Sequence, residues 1–80
     1  MPKLPQVSGD EVIRLLVSLG YRTVRQRGSH VRLQKATPSG EHGITVPTHK
    51  VMAKGTLSDI LSKTSLWNGI TKDDLIRRLR

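Results

Sequence analysis

The sequence predicts an α+β fold: one amphipathic helix, three antiparallel strands, a second helix and a short helical tail. Three observations carry this expectation. A helical apolar stripe follows a capping signal near the N-terminus, the hydrophobic period switches from helical to two around Gly28-Ser29, and helical stripes return after residue 54.

Ser8-Gly9-Asp10-Glu11 fits a capping box, in which Ser8 and Glu11 satisfy each other's backbone N–H groups. Val12, Ile13, Leu15, Leu16 and Leu19 then line one side of a helix over residues 8–19, and Gly20 supplies its stop. From Tyr21 the pattern alternates. Gly28-Ser29 suits a two-residue type II′ hairpin turn. That turn sets Arg27 opposite His30, Gln26 opposite Val31, Arg25 opposite Arg32, Val24 opposite Leu33 and Thr23 opposite Gln34. Val24, Val31 and Leu33 then share a core face. Thr23, Arg25, Arg27, His30, Arg32 and Gln34 share the other.

Residues 36–43 (ATPSGEHG) read as a turn-rich connector in which His42 is solvated. A short third strand comes next, with Ile44 and Val46 inward and Pro47 ending the ladder. Thr56 and Asp59 form a second candidate capping box, ahead of the stripe Leu57, Ile60 and Leu61. Thr71 and Asp74 repeat the signal before Leu75, Ile76 and Leu79. Two helices cover one face of such a sheet, which leaves the face carrying His30 and the arginines open. Residues 1–80 read as one domain, with a core over 8–66 and a helical extension over 67–80 for which Trp67 is the simplest anchor.

Composition narrows the function. The 80-residue chain holds fourteen Lys and Arg against six Asp and Glu, a formal charge of +8. That excess favours polyanionic partners. The chain has no Phe, so the core rests on Leu, Ile and Val, and a base-stacking aromatic platform is not expected. There is no Cys, hence no disulfide or thiolate metal site. The three His lack metal-ligand spacing, no phosphate-binding glycine loop occurs, and no apolar run approaches the roughly 20 residues that span a bilayer. No metal, cofactor or membrane contact is expected, and the expected location is the cytoplasm.

Arg25 opposite Arg32 is a like-charge cross-strand pair, unfavourable unless an anion offsets it. Guanidinium groups grip phosphate bidentately. A neutral imidazole beside them can act as a general base. RNA carries its own nucleophile in the 2′-OH, so a histidine and several cations suffice for phosphodiester cleavage without a metal. These residue types therefore point to His30 as a catalytic candidate. The simpler alternative is a solvated basic face with a surface histidine.

The segments LLVSLGYRTVRQRGSHVRL, ITVPTHK and KGTLSDIL resemble the HicA toxin family, the small mRNA interferases of HicAB toxin–antitoxin systems. The resemblance runs from about Ser8 to Leu66 and is most specific at the G-S-H of the first hairpin. It implies a double-stranded-RNA-binding-domain-like fold, α-β-β-β-α. It also implies an mRNA-cleaving, growth-arresting endoribonuclease and a cognate HicB antitoxin that covers the active site. By position it assigns the catalytic role to His30, with Gly28 and Ser29 as the turn that presents it. Chemistry adds Arg25, Arg27 and Arg32 as phosphate contacts, Lys50 and Lys54 as outer contacts, and His49 as a secondary candidate. Many members carry a second histidine directly after this one. Here that position is Val31, on the core face by alternation. The runner-up function is a non-catalytic RNA-binding module of the same fold.

Overall fold

The computed structural model describes residues 3–79. Its order is α1 (Gly9–Ser18), β1 (Arg22–Arg27), β2 (His30–Thr37), β3 (Gly40–Pro47), α2 (Lys54–Asn68) and α3 (Lys72–Arg78). The strands form one antiparallel sheet in the order β1-β2-β3. This is the double-stranded-RNA-binding-domain-like arrangement, with one added helix. Among the described residues no helix is long and apolar enough to cross a membrane.

α1 starts as its sequence predicts. Ser8 is the N-cap and both bonds of the capping box form. The end of α1 sets the direction of β1. Gly20, at φ 104°, donates to the Val17 carbonyl at 3.0 Å, and Tyr21 donates to the Leu16 carbonyl at 3.0 Å. These are the two bonds of a Schellman motif, which brings Tyr21 back against Leu16. Both side chains are buried.

The first hairpin keeps the expected register only next to its turn. Arg27 faces His30, Gln26 faces Val31 and Arg25 faces Arg32. Gly28 takes φ 58°. Beyond that point the expectation fails: Thr23 faces Leu33, Arg22 faces Gln34, and Val24 is an extra residue in a β-bulge. Val24 is therefore 42% exposed rather than in the core, and Thr23 leaves the basic face. The cause is parity. Tyr21 and Arg27 are an even number of residues apart, so strict alternation would put both on one face. The Schellman motif holds Tyr21 inside and the turn holds Arg27 outside. One inserted residue reconciles the two ends.

The second hairpin corrects the reading of residues 36–43 as a connector. Thr37 pairs with Gly40 around Pro38-Ser39, and the ladder continues through Ala36–Glu41, Lys35–His42 and Gln34–Gly43. Thr37 Oγ1 braces the turn, donating to the Gly40 carbonyl at 2.7 Å and accepting from Ser39 N at 3.2 Å. The polar side chains of this segment conceal a strand pairing that backbone bonds and the burial of His42 sustain.

α2 also differs at its start. It begins at Lys54, after Ala53, with no side-chain cap, so the Thr56–Asp59 box does not form. Burial of Met52, whose N–H donates to the Val7 carbonyl at 2.8 Å, fixes the chain just upstream and starts the helix early. Asp59 instead pairs with Lys63 at 3.0 Å on the surface. Trp67 lies inside α2 rather than anchoring the tail. Gly69, at φ 64°, ends that helix. Thr71 caps α3, accepting from Asp74 N at 3.1 Å. Lys72 Nζ reaches back to Ser58 Oγ at 2.6 Å and Ser62 Oγ at 3.0 Å.

One apolar cluster joins the layers. Val12 and Leu16 of α1 meet Val31 and Leu33 of β2, Ile44 and Val46 of β3, Leu57 and Leu61 of α2, and Leu75 of α3. β1 contributes no buried residue. Gly9 brings α1 against the end of β3: its N–H donates to the His49 carbonyl at 2.9 Å. A Cβ there would collide with the Pro47 carbonyl oxygen and sit 2.8 Å from Thr48 Cα. Gly9→Ala is therefore expected to destabilise the fold by about 1–3 kcal/mol, the usual cost of forcing atoms into a packed contact. Urea unfolding followed by circular dichroism measures this, and a loss near zero would show that the contact is soft.

Candidate active site on the basic sheet face

The helices cover one face of the sheet. The other carries a hollow of about 450 Å³, lined by Val24, Arg25, Arg27, His30, Arg32, Gln34 and Thr45. Four of the predicted site residues thus come together: His30 and the three arginines. His30 is exposed at the first position of β2, with Arg27 beside it on β1 and Pro47 beside it on β3. Its turn is tied down from the β3 side. The Ser29 carbonyl accepts from Thr48 N at 2.7 Å and from Thr48 Oγ1 at 3.2 Å. Gly28 and Ser29 therefore present His30 from a braced turn.

Arg32 is held in place. Its Nη1 donates to Thr45 Oγ1 at 3.2 Å. Its guanidinium lies over Gly43, where a Cβ would sit 2.5 Å from Nη2 and 3.0 Å from Cζ. A glycine inside a strand often marks such a close approach. Arg32 thus sits across β3, while Arg25 faces it from β1. The ion pairs among the described residues lie on α2 and α3, so no carboxylate neutralises this face through one. The arrangement offers an oriented guanidinium, two further cations and an accessible imidazole within one hollow. That set suits a phosphodiester.

Lys50, Lys54 and His49 do not line the hollow. His49 and Lys50 are exposed in the segment after β3, and Lys54 opens α2. The sequence reading missed Thr45 and Gly43 as parts of the site, although inward Ile44 and Val46 already implied that both face outward. It also missed Val24, because alternation alone does not reveal a bulge.

His42 is the largest departure. Expected in solvent, it is buried on the core face opposite Lys35. Tyr21 Oη lies 2.6 Å from its Nδ1, and the Trp67 ring stacks on it with centroids 5.0 Å apart and 7° between planes. Asn68 Nδ2 donates to Tyr21 Oη at 2.9 Å, and Lys35 Nζ donates to Asn68 Oδ1 at 2.5 Å. Asn68 takes one acceptor site of the phenol oxygen, which leaves the Tyr21 hydroxyl proton free for Nδ1 of a neutral imidazole. Burial lowers the His42 pKa, and the positive charges of Arg32 and Lys63 lower it further. Burial raises the Tyr21 pKa, opposed in part by the Asn68 hydrogen bond. This cluster is structural and sits at the far end of the sheet from His30.

The Gly43 and His42 geometries can each be tested. Gly43→Ala should lift Arg32 off β3, read as a shift of the Arg32 Nε–H NMR resonance in an otherwise unchanged spectrum; an unmoved resonance would mean that Gly43 does not position Arg32. The folded pKa of His42 lies below its unfolded value of about 6.5, so the unfolded chain binds more protons below that pH. The stability this residue contributes is therefore present above about 6.5 and lost as pH falls toward and through the folded value. Urea midpoints measured across this acid range should fall in the wild type and fall less in His42→Gln. Parallel pH curves would remove His42 as the cause.

Comparison with known proteins places the chain in a family. Residues 9–66 match the family model described as the HicA toxin of bacterial toxin–antitoxin systems. No match was found among curated proteins or among solved structures. The matched span holds α1, the whole sheet, nearly all of α2 and every residue lining the hollow. The chain belongs to the HicA toxin family.

Proposed function

We propose that this chain is a metal-independent endoribonuclease that cleaves mRNA at the hollow of the basic sheet face. The observation that carries this reading is the placement of His30 in one hollow with Arg25, Arg27 and the oriented Arg32. In this mechanism the neutral imidazole of His30 takes the proton of a ribose 2′-OH. The freed oxygen attacks the adjacent phosphorus, the bond to the next nucleotide's 5′-oxygen breaks, and that oxygen takes up a proton. Charge builds on the phosphoryl oxygens during the step, and Arg32 is already positioned to meet it. Arg25 and Arg27 hold flanking phosphates. Lys50 and Lys54, beyond the hollow, touch the strand as it leaves, and His49 stands outside the reacting centre. An mRNA substrate places the activity in the cytoplasm. A HicB-type antitoxin that covers the hollow would silence it, and acidic groups on that partner would speed the encounter.

The test is cleavage of mRNA in excess EDTA by wild type and His30→Ala. Wild type should cleave. The variant should lose about 10²-fold or more in rate, while RNA binding stays within a few-fold. A variant that cleaves normally would remove His30 from the reaction. Binding by both proteins without cleavage by either would support the non-catalytic RNA-binding module instead.

A further inference from the structure

We propose that Val24 seats an unpaired nucleobase of the bound RNA, and so makes this protein selective for single-stranded RNA over a ribose-phosphate backbone alone. The proposal rests on the reading of the basic face as an RNA site.

Three observations lead to it. Val24 is the extra residue of the β1 bulge. It is 42% exposed in a protein with a small core, where each buried methyl group counts. It is also the one apolar side chain among those lining the hollow, which it shares with three arginines. Parity explains why a bulge is needed in β1. It does not explain why the residue pushed outward is a valine. A polar side chain would suit that exposed position equally well if only phosphate were held there.

The ligand chemistry comes from the lining. Phosphate oxygens satisfy the guanidinium groups but gain nothing from a valine. A nucleobase has an apolar face and polar edges. Its face can rest on the Val24 methyls, and a neighbouring guanidinium plane can stack against it. Its edge can meet Gln34, which offers both a donor and an acceptor in the same hollow. In a duplex the bases are stacked and their faces are hidden, so only an unpaired base can use this seat. The positive charge of the chain favours nucleic acid over an apolar peptide as the occupant.

The test measures affinity without turnover, using the full chain with His30→Ala. Two oligomers of equal length are titrated, one single-stranded RNA and one abasic ribose-phosphate. The RNA should bind about three- to ten-fold more tightly, as expected for partial burial of a valine-sized surface. Adding Val24→Ser should bring the two affinities within about two-fold by weakening RNA binding alone. Adding Val24→Leu should preserve the gap. Thermal melts of each variant confirm the fold, which an exposed position should leave intact. A gap that survives Val24→Ser overturns the proposal and leaves the RNA site standing. Equal binding of both oligomers before Val24 is changed also overturns it. If neither oligomer binds in a salt-dependent way, the RNA reading itself fails and this proposal with it.

Discussion

The meeting of two fixed points on β1 governs the rest of this structure. At one end the Schellman motif of α1 turns Tyr21 into the core. At the other, the Gly28-Ser29 turn holds Arg27 opposite His30 on the outside. A strand with strict alternation cannot satisfy both. The bulge at Val24 absorbs the conflict. It lets Tyr21 stay against His42 while Arg27 stays outside, and it brings an apolar side chain into a basic hollow. Bulges often re-aim side chains beside functional sites, and here the re-aimed residue lies in the hollow with the candidate histidine.

The two faces of the sheet divide their tasks along β2. Val31 and Leu33 point into the core, while His30, Arg32 and Gln34 line the hollow. The core face is closed at its far end by a set of hydrogen bonds that links Lys35, Asn68, Tyr21 and His42. Such a satisfied polar cluster fixes the register of β2 against α2, because a shift of one residue would strand several buried polar atoms. The outer face is ordered differently. Arg32 rests on backbone and on Thr45, with no ion pair to an acidic residue among the described residues, so its orientation is set before a ligand arrives and its charge stays available.

Much of this was legible in the residues. The capping box at Ser8, the Gly28-Ser29 hairpin, the inward Ile44 and Val46, and the cap at Thr71 all depend on local chemistry, and the structure contains each of them. The features that escaped depend on contacts between segments distant in sequence. The burial of His42 requires Tyr21, Trp67 and Asn68, which lie far from it along the chain. The early start of α2 reflects the burial of Met52 against the N-terminal segment. The bulge had a readable trace, since a tyrosine directly after the helix-ending glycine implies an inward ring and the even spacing to Arg27 then demands an extra residue. The candidate site was legible in its charged members, because basic residues on alternate positions declare a common face. Thr45 and Gly43 were not, because they act on Arg32 and carry no charge of their own.

The unneutralised arginine pair has a bearing on how long the molecule survives. Arg25 and Arg32 stand opposite each other across the hairpin, a like-charge register that an anion would offset. An anionic surface that seats on this face would favour the folded form, because unfolding scatters the cations that bind it. Such binding would therefore raise the stability of the fold by mass action, more so as the ligand concentration exceeds its Kd. The chain alone opens more often and gives proteases more chances than the same chain with its face covered. A partner that occupied this face would therefore lengthen the life of the molecule, and charge that is unfavourable in isolation would become the means of that protection.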